Sequence, residues 1–368
     1  MIRRLILIVL ALLVTLAAGL MTAIFIFRHA TPVEFQQASA GEPVDFPRDE
    51  AAHFDFSTEW WYYTGFLNGE DDRRYGFELV FFKAYVPPQA RMGGVLPLNW
   101  SNNPIYFAQF AVSDQAGREH VFFERVNFPK FWDAGARAGR FEVWNGDWRA
   151  SGGDGQHSLH ASGGRYQLRL NLASFQPPAL HGLEGAGVVD MGQAGTSYYY
   201  SEPDLVGAGV LDVDGVPQNV QATAWMDHQW GSWSAHTGYS GWDWFSLHLD
   251  SDEQVMLFNF RDDYGNVQPE SSGTWIAAGG QTEHLTGVDY TVEVLERWTS
   301  PGTGGSYPVK WHVTVPDHGL DVVVEATFPE QEMPIRFGPI YWEGTTTVSG
   351  SASGVGFVEM TGYAGVSE

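Results

Sequence analysis

The sequence predicts an all-β protein whose antiparallel strands close into barrels. Short strand-like runs are separated by turns rich in Gly, Asp, Asn and Pro, and the 368 residues include 43 Gly and 19 Pro. Between residues 44 and 368, no stretch has the apolar spacing of a long amphipathic helix. Ten runs predict strands: Trp60–Leu67, Tyr75–Tyr85, Ile105–Ser113, Tyr166–Leu172, Ala222–Met226, Trp242–Leu249, Gln254–Phe260, Tyr290–Trp298, Val309–Val315 and Leu320–Phe328.

The first 27 residues form a membrane anchor or signal sequence in this interpretation. Residues 5–27 carry no charge and follow Arg3 and Arg4. As a helix they would reach about 34 Å, enough to cross a hydrocarbon core of about 30 Å. The basic residues before them favour a cytoplasmic N-terminus and an exported remainder. We expect an uncleaved inner-membrane anchor with a periplasmic body; a cleavable signal, whose apolar core is usually about 7–15 residues long, is the alternative.

Residues 28–43 are predicted to be a polar linker, followed by two domains at 44–212 and 213–368. The boundary is placed at the turn signal Asp212-Val213-Asp214-Gly215. An aromatic strand, an acidic turn and a second apolar strand occur at 61–85 and again at 242–260. This echo is consistent with an internal duplication, and equally with the general similarity of any two hairpins.

Charge and cysteine content exclude several classes of function. The formal net charge is −24, from 20 basic and 44 acidic residues. A nucleic-acid partner is not expected, because such binding requires basic patches. The chain has no cysteine, which excludes thiol catalysis, disulfides and iron–sulfur clusters.

The densest aromatic motif is Glu59-Trp60-Trp61-Tyr62-Tyr63-Thr64-Gly65-Phe66-Leu67. On a strand, Glu59, Trp61 and Tyr63 share one face, and Trp60 and Tyr62 take the other. Both faces are bulky and apolar, as expected for a strand between a barrel interior and a second packing layer. The glutamate is then either a satisfied structural carboxylate or a group held where chemistry or ligand binding occurs.

Two further motifs contain candidate acid–base groups. In Trp225-Met226-Asp227-His228-Gln229-Trp230-Gly231, adjacent Asp227 and His228 could orient a proton donor at a strand end or bulge, or satisfy buried backbone groups. In Trp242-Asp243-Trp244-Phe245, Asp243 faces away from both tryptophans. A carboxyl group desolvated among aromatic rings keeps its proton to high pH and can act as a general acid, although an Asp more often caps a turn.

Several enzyme classes lack their sequence signatures. The chain has no Gly-x-Ser-x-Gly, no Gly-x-x-x-x-Gly-Lys and no His-Glu-x-x-His. A serine hydrolase with a nucleophile elbow and P-loop nucleotide chemistry are therefore not expected. His53 with Asp55, and His157 with His160, are weak candidates for metal ligands, so neither a metal nor a cofactor is predicted.

The motifs together resemble the AttH-like / hydroxyneurosporene synthase (carotenoid 1,2-hydratase) family. The resemblance covers nearly the whole predicted exported part, from about residue 46 to residue 363. The matching segments are Phe46-Pro47-Arg48-Asp49, His53, Glu59-Trp60-Trp61-Tyr62-Tyr63-Thr64-Gly65, His181-Gly182, Tyr199-Tyr200-Ser201, Trp225-Met226-Asp227-His228-Gln229-Trp230-Gly231, Gly241-Trp242-Asp243-Trp244-Phe245, Tyr307-Pro308, Tyr341-Trp342-Glu343-Gly344 and Glu359-Met360-Thr361-Gly362-Tyr363.

The resemblance implies two consecutive lipocalin-like barrels, each able to enclose an apolar ligand. The leading expectation is a membrane-anchored periplasmic protein that binds a lipid or isoprenoid-like molecule and works with an ABC-type export permease. The alternative is a hydro-lyase that adds water to a C=C bond by acid catalysis. For that chemistry Asp243 would donate the proton, His228 would orient water and Asp227 would orient His228. The expected ligand-binding residues are Glu59, Trp61, Tyr63, Trp230, Trp242, Trp244 and Trp342.

Overall fold

The fold is all-β, with two curved, barrel-like sheets and only short 3₁₀ turns as helical elements in the described part. The computed structural model describes residues 19, 21, 34–70, 73–85, 104–127, 133–233, 238–336 and 338–364. Within these residues, no helix combines the length and apolar character needed to cross a bilayer. The predicted anchor at 5–27 lies outside the described residues, apart from positions 19 and 21.

The first sheet contains thirteen strands from the N-terminal half of the chain. Eleven follow one path, β4-β3-β2-β1-β13-β12-β9-β8-β7-β6-β5, while β10 and β11 pair with β12. The strands are β1 Thr58–Gly69, β2 Arg74–Ala84, β3 Ile105–Asp114, β4 Glu119–Asn127, β5 Ala134–Ala136, β6 Glu142–Asn145, β7 Trp148–Gly153, β8 Gln156–Gly163, β9 Tyr166–Ser174, β10 Ala179–Leu180, β11 Val188–Asp190, β12 Thr196–Val213 and β13 Val216–Gly231.

The second sheet contains ten strands from the rest of the chain. Its path is β17-β16-β15-β14-β23-β22-β20-β19-β18, and β21 pairs with β22. The strands are β14 Gly241–Leu249, β15 Gln254–Arg261, β16 Ser272–Ile276, β17 Thr282–Thr286, β18 Thr291–Thr299, β19 Ser306–Val315, β20 Leu320–Ala326, β21 Glu332–Met333, β22 Tyr341–Gly350 and β23 Gly354–Thr361.

Each sheet curves around its own apolar core. Alternating residues of the strands point inward, which is why Trp61, Tyr63 and Trp230 are buried in the first core and Trp311 and Trp342 in the second. The two hairpins of the sequence echo occupy equivalent places: β1 pairs with β2 and β13, and β14 pairs with β15 and β23.

A third apolar cluster joins the outer faces of the two sheets. It includes Tyr62 and Trp225 from the first sheet and Trp244 and Phe357 from the second. The prediction that both faces of β1 are covered is therefore confirmed. At Gly76 on β2 the missing Cβ makes room for Thr345 of the second sheet, which lets the sheets approach closely.

The chain passes from the first sheet to the second between Gly231 and Gly241. The division predicted at residues 212 and 213 falls at the turn between β12 and β13. Both of these strands pair within the first sheet over most of their length. As a domain limit the division stays a prediction, but the change of sheet lies after β13.

Candidate functional site

A cavity of about 330 Å³ lies between the two sheets, and we call it the intersheet cavity. More than half of its lining residues are aromatic, and among the described lining residues none is Lys, Arg or His. An uncharged, largely apolar guest suits such a wall. The lining residues are Thr58, Trp60, Tyr62, Phe82, Met191, Tyr199, Asp227, Gln229, Trp233, Tyr239, Ser240, Gly241, Trp242, Trp244, Phe258, Phe260, Pro339, Tyr341, Glu359 and Thr361.

Glu359 of β23 places a carboxyl group on the wall of this cavity. The indole Nε1 of Trp242 donates a hydrogen bond of 2.7 Å to its Oε1. Burial raises the pKa of Glu359 from 4.5 to about 7, and the negative charge of Asp227 adds to the rise, against the effect of the indole hydrogen bond. Near neutral pH a large fraction of this group is therefore a carboxylic acid that can donate a proton.

Asp227 of β13 is the second carboxyl group on the cavity wall. It accepts hydrogen bonds from the hydroxyls of Tyr199 and Ser201 and from the indole Nε1 of Trp225. Burial raises its pKa to about 6, while these three donors act in the opposite direction by stabilising the carboxylate. At neutral pH Asp227 is mostly ionised and can accept a proton.

A hydrogen-bonded chain reaches Asp227 from the second sheet. Ser201 donates its single hydroxyl proton to Asp227, so its oxygen must accept from His181 Nε2, 2.6 Å away. Burial lowers the pKa of His181 to about 3, which keeps the imidazole neutral. Its Nδ1 is then an acceptor for the Thr274 hydroxyl at 2.8 Å. Every donor in this chain points towards Asp227.

Two more buried carboxyl groups lie close to Glu359. Glu343 of β22 is directly opposite Glu359 in the strand register and accepts a hydrogen bond of 2.6 Å from the Tyr62 hydroxyl. Burial, helped by the neighbouring acids, raises the pKa of Glu343 well above its usual value and that of Glu78 to about 8. At neutral pH Glu78 is therefore mostly a neutral carboxylic acid, and burial favours the neutral form of Glu343 as well.

The face of β1 opposite the cavity carries a separate polar cluster inside the first sheet. Glu59 is fully buried and lies 2.8 Å from the Lys83 ammonium. His53 Nδ1 and His228 Nε2 approach the same Glu59 oxygen at 2.8 and 2.9 Å. Within the described residues, His53, Glu59 and His228 hold three potential ligand atoms close enough together to share a metal ion.

This arrangement separates the residues expected to cooperate. His228 hydrogen-bonds to Glu59 and Tyr200, whereas Asp227 faces the cavity, so the expected contact by which Asp227 would orient His228 is not present. Adjacent strand residues point to opposite faces, which explains the separation. Glu59, Trp61, Tyr63 and Trp230, expected at a ligand site, are buried on the inner side of the first sheet and do not line the intersheet cavity.

The second sheet divides its predicted residues in the same way. Trp242 and Trp244 line the cavity, while Trp342 is buried in the second core. Asp243 also lies inside the second sheet, where it contacts Arg261 Nε at 3.2 Å and the Tyr363 hydroxyl at 3.0 Å. Burial raises the pKa of Asp243 to about 6, against the opposing charge of Arg261, but the group is not on the cavity wall.

Sequence reasoning did not single out Glu359 as a site residue. The available signal was a carboxylate within an apolar strand run, Val355-Gly356-Phe357-Val358-Glu359-Met360, the same signal that drew attention to Glu59. What the sequence could not supply was that Glu359 and Asp227 line the same cavity, which depends on how the two sheets meet.

Known proteins resemble this chain over most of its described fold. The crystal structure of a protein assigned as AttH from Nitrosomonas europaea matches with a TM-score of 0.79 and 28% identity, covering 90% of this chain and 100% of that one. Kievitone hydratase from Nectria haematococca matches with a TM-score of 0.65 over 90% of this chain and 96% of that enzyme. At 15% identity, that second likeness concerns the fold.

One curated relative is the dehydratase asqC of Emericella nidulans. It is 26% identical over 206 residues, which correspond to 52% of this chain and 57% of that enzyme. The chain thus matches little more than half of the relative's length. The AttH-like family model, in contrast, matches residues 37–363 and includes both sheets. The chain therefore belongs to the AttH-like family.

Proposed function

We propose that this protein is a hydro-lyase that adds water to, or removes it from, a small and largely apolar substrate in the intersheet cavity. One observation carries the proposal: two carboxyl groups in different environments, Glu359 and Asp227, lie on the wall of the same aromatic cavity. Asp227 accepts three hydrogen bonds that stabilise its carboxylate, whereas Glu359 accepts one, and this difference makes Asp227 the base and Glu359 the acid. The similarity to a dehydratase supports the same reaction class.

In the dehydration direction, protonated Glu359 donates its proton to the leaving hydroxyl as the C–O bond breaks and water departs. The ionised Asp227 removes a proton from the neighbouring carbon, and the C=C bond forms. Glu359 is then a carboxylate and Asp227 an acid, so one proton transfer through the released water restores both. Hydration follows the same steps in reverse.

The aromatic wall provides stabilisation for the positive charge that develops on carbon. Faces of indole rings attract cations by roughly 0.5–2 kcal/mol each, and more where water is excluded. Trp60, Trp242 and Trp244 line the cavity and can present such surfaces. The shortage of basic side chains on the wall favours a substrate without negative charge, such as a tertiary allylic alcohol or the corresponding polyene.

Small tertiary allylic isoprenoid alcohols, and the polyenes formed from them, are the probes that test this proposal. The full-length protein is incubated with each probe in isotopically labelled water, and gain, loss or exchange of water is followed by mass spectrometry. We expect Glu359→Gln and Asp227→Asn to reduce turnover by about 10²–10⁴-fold, the usual contribution of a general acid or base. Asp243→Asn, outside the cavity, is the control and should retain turnover.

Ligand binding without turnover is the competing function, and the cavity itself favours it as a second candidate. Its volume lies at the lower end of small-molecule sites, about 300–1,000 Å³. Binding can be followed by quenching of the cavity tryptophans. If wild-type protein binds the probes but exchanges no water, or if both carboxyl variants retain turnover, the hydro-lyase proposal is wrong.

We also propose the finer expectations from the sequence: lipocalin-like barrels, an inner-membrane anchor at 5–27, a periplasmic body and an ABC-type export permease as partner. They rest on the resemblance and on the apolar segment. Fractionation of cells that express the full chain, with protease added to intact spheroplasts, tests the location. Recovery in the cytosolic fraction, protected from the protease, would reject the anchor and the periplasmic site.

A further inference from the structure

A second groove, which we call the mouth groove, opens at one end of the first sheet. It has a volume of about 730 Å³ and reaches His53 and Trp230. His53 lines the groove, and the fully buried Glu59 and His228 lie next to it. The atoms His53 Nδ1, Glu59 Oε1 and His228 Nε2 all lie within 4.8 Å of one another. The proposed hydro-lyase reaction uses none of these three side chains.

The donor set suits a divalent transition metal. Two imidazole nitrogens and one carboxylate oxygen are the ligands of many zinc sites that keep a fourth position open. The present separations of 2.8 and 2.9 Å between the nitrogens and Glu59 Oε1 are those of direct hydrogen bonds. Two ligands of a tetrahedral ion at about 2.0–2.1 Å lie roughly 3.4 Å apart, so each imidazole nitrogen must move about 0.5 Å away from Glu59 Oε1 to admit the ion.

The other polar atoms of these ligands already have partners of the kind found around metal sites. His53 Nε2 lies 3.3 Å from Asp49 Oδ1, and His228 Nδ1 lies 3.1 Å from the Tyr200 hydroxyl. Such partners orient ligating histidines and set the ring nitrogen that faces the metal. The Lys83 ammonium holds Glu59 Oε2 at 2.8 Å, which directs Oε1 towards the two imidazoles.

Aromatic packing fixes both imidazole rings. The Trp230 ring stacks on His53 with centroids 4.0 Å apart and planes 4° apart. Trp61 stacks on His228 with centroids 5.0 Å apart. Ligands held in place before binding lose little entropy when the ion arrives, so the arrangement favours affinity.

The charge around the mouth groove favours a cation despite Lys83. Five carboxylate side chains at the groove and cluster face two basic side chains. A groove lined by one sign of charge concentrates ions of the opposite sign. The acids are Glu42, Asp45, Asp49, Asp55 and Glu59, and the bases are Arg48 and Lys83.

We propose that His53, Glu59 and His228 form a binding site for a divalent transition-metal ion of the zinc class, reached through the mouth groove. The sequence marked His53 only as a weak candidate beside Asp55 and predicted no metal, because His228 is distant in the chain and the three ligands match no short motif. The site lies on the face of β13 opposite the intersheet cavity, so metal binding and the hydro-lyase reaction are separate properties.

Purified full-length protein, stripped with a chelator and dialysed against Zn²⁺, tests the site by metal analysis and by visible absorption of a Co²⁺ form. We expect about one Zn²⁺ per chain and a rise in thermal stability on addition of the metal. Because Glu59 is fully buried and its replacement can unfold the protein, the deciding variant is His53→Ala, at a partly exposed ligand. Because it removes a direct ligand, it should weaken binding by more than the about 10–100-fold typical of a lost outer partner.

Two further variants distinguish this site from adventitious binding. Asp49→Asn keeps all three ligands and should weaken Zn²⁺ binding by about 10–100-fold, since it removes the negative charge of the group beside His53 Nε2, which Asp49 shares with Arg48. His312→Ala is the matched control: His312 lies near Glu293 and Asp321 on the surface of the second sheet and should leave binding unchanged. The proposal would be overturned if wild-type protein failed to bind about one Zn²⁺ per chain. It would also be overturned if His53→Ala bound Zn²⁺ as tightly as the wild type.

Discussion

Replacing Glu359 by Gln should make the stability of the protein less dependent on pH. Burial raises the pKa of Glu359 from 4.5 to about 7. Between these values the unfolded chain releases the proton while the folded protein retains it, so the free energy of unfolding falls as pH rises. Each pKa unit corresponds to about 1.4 kcal/mol, which makes the full cost to the folded state about 3 kcal/mol. About 2 kcal/mol of this loss falls between about pH 5 and pH 8, and water in the cavity can only reduce it.

The assay is urea unfolding at both pH values, followed by tryptophan fluorescence. Wild-type protein should lose about 2 kcal/mol more stability across this range than Glu359→Gln. The control is Glu296→Gln, an exposed carboxyl on β18, which should follow the wild type. Equal pH dependence in wild type and Glu359→Gln would mean that Glu359 is not held as an acid, and the assignment of the proton donor would fail with it.

Two other substitutions test the packing on either side of β1. Lys83→Met removes the ammonium partner of the buried Glu59 carboxylate and leaves it only its contacts with His53 and His228, so it should destabilise the protein by about 3–5 kcal/mol in urea unfolding. Lys310→Met, which breaks a partly exposed pair, should cost less than about 1 kcal/mol, and equal losses would contradict this reasoning. Gly65→Ala should lower the melting temperature, because its Cβ would lie 2.5 Å from a carbonyl oxygen of β13. Gly69→Ala, with its nearest such contact at 3.4 Å, should have little effect, and an equal decrease would argue against close packing at Gly65.

Alternation along the strands predicted the two faces correctly. Glu59, Trp61 and Tyr63 share one side of β1, and Trp60 and Tyr62 take the other. The choice of the face that meets a cavity could not be made in the same way. Both faces of β1 are apolar, and only the position of the second sheet makes the Trp60 face a cavity wall.

The candidate acid–base pair illustrates the same limit. Asp227 was recognised from its motif, but its partner Glu359 is separated from it by more than a hundred residues of chain. Asp243 drew attention because it lies between two tryptophans, yet that alternation directs it to Arg261 inside the second sheet. Local pattern predicts the direction of a side chain, whereas the neighbour it meets depends on the packing of distant strands.

The hydrogen-bonded chain from Thr274 through His181 and Ser201 to Asp227 joins the two halves of the molecule. In the proposed reaction, the first half contributes the proton acceptor Asp227, and the second contributes the proton donor Glu359. If the chain were divided between residues 231 and 241, the two apolar cores would fall on different pieces, and neither piece would carry both carboxyl groups of the intersheet cavity. Substitutions on the wall of the intersheet cavity could therefore change the substrate preference while both apolar cores stay intact.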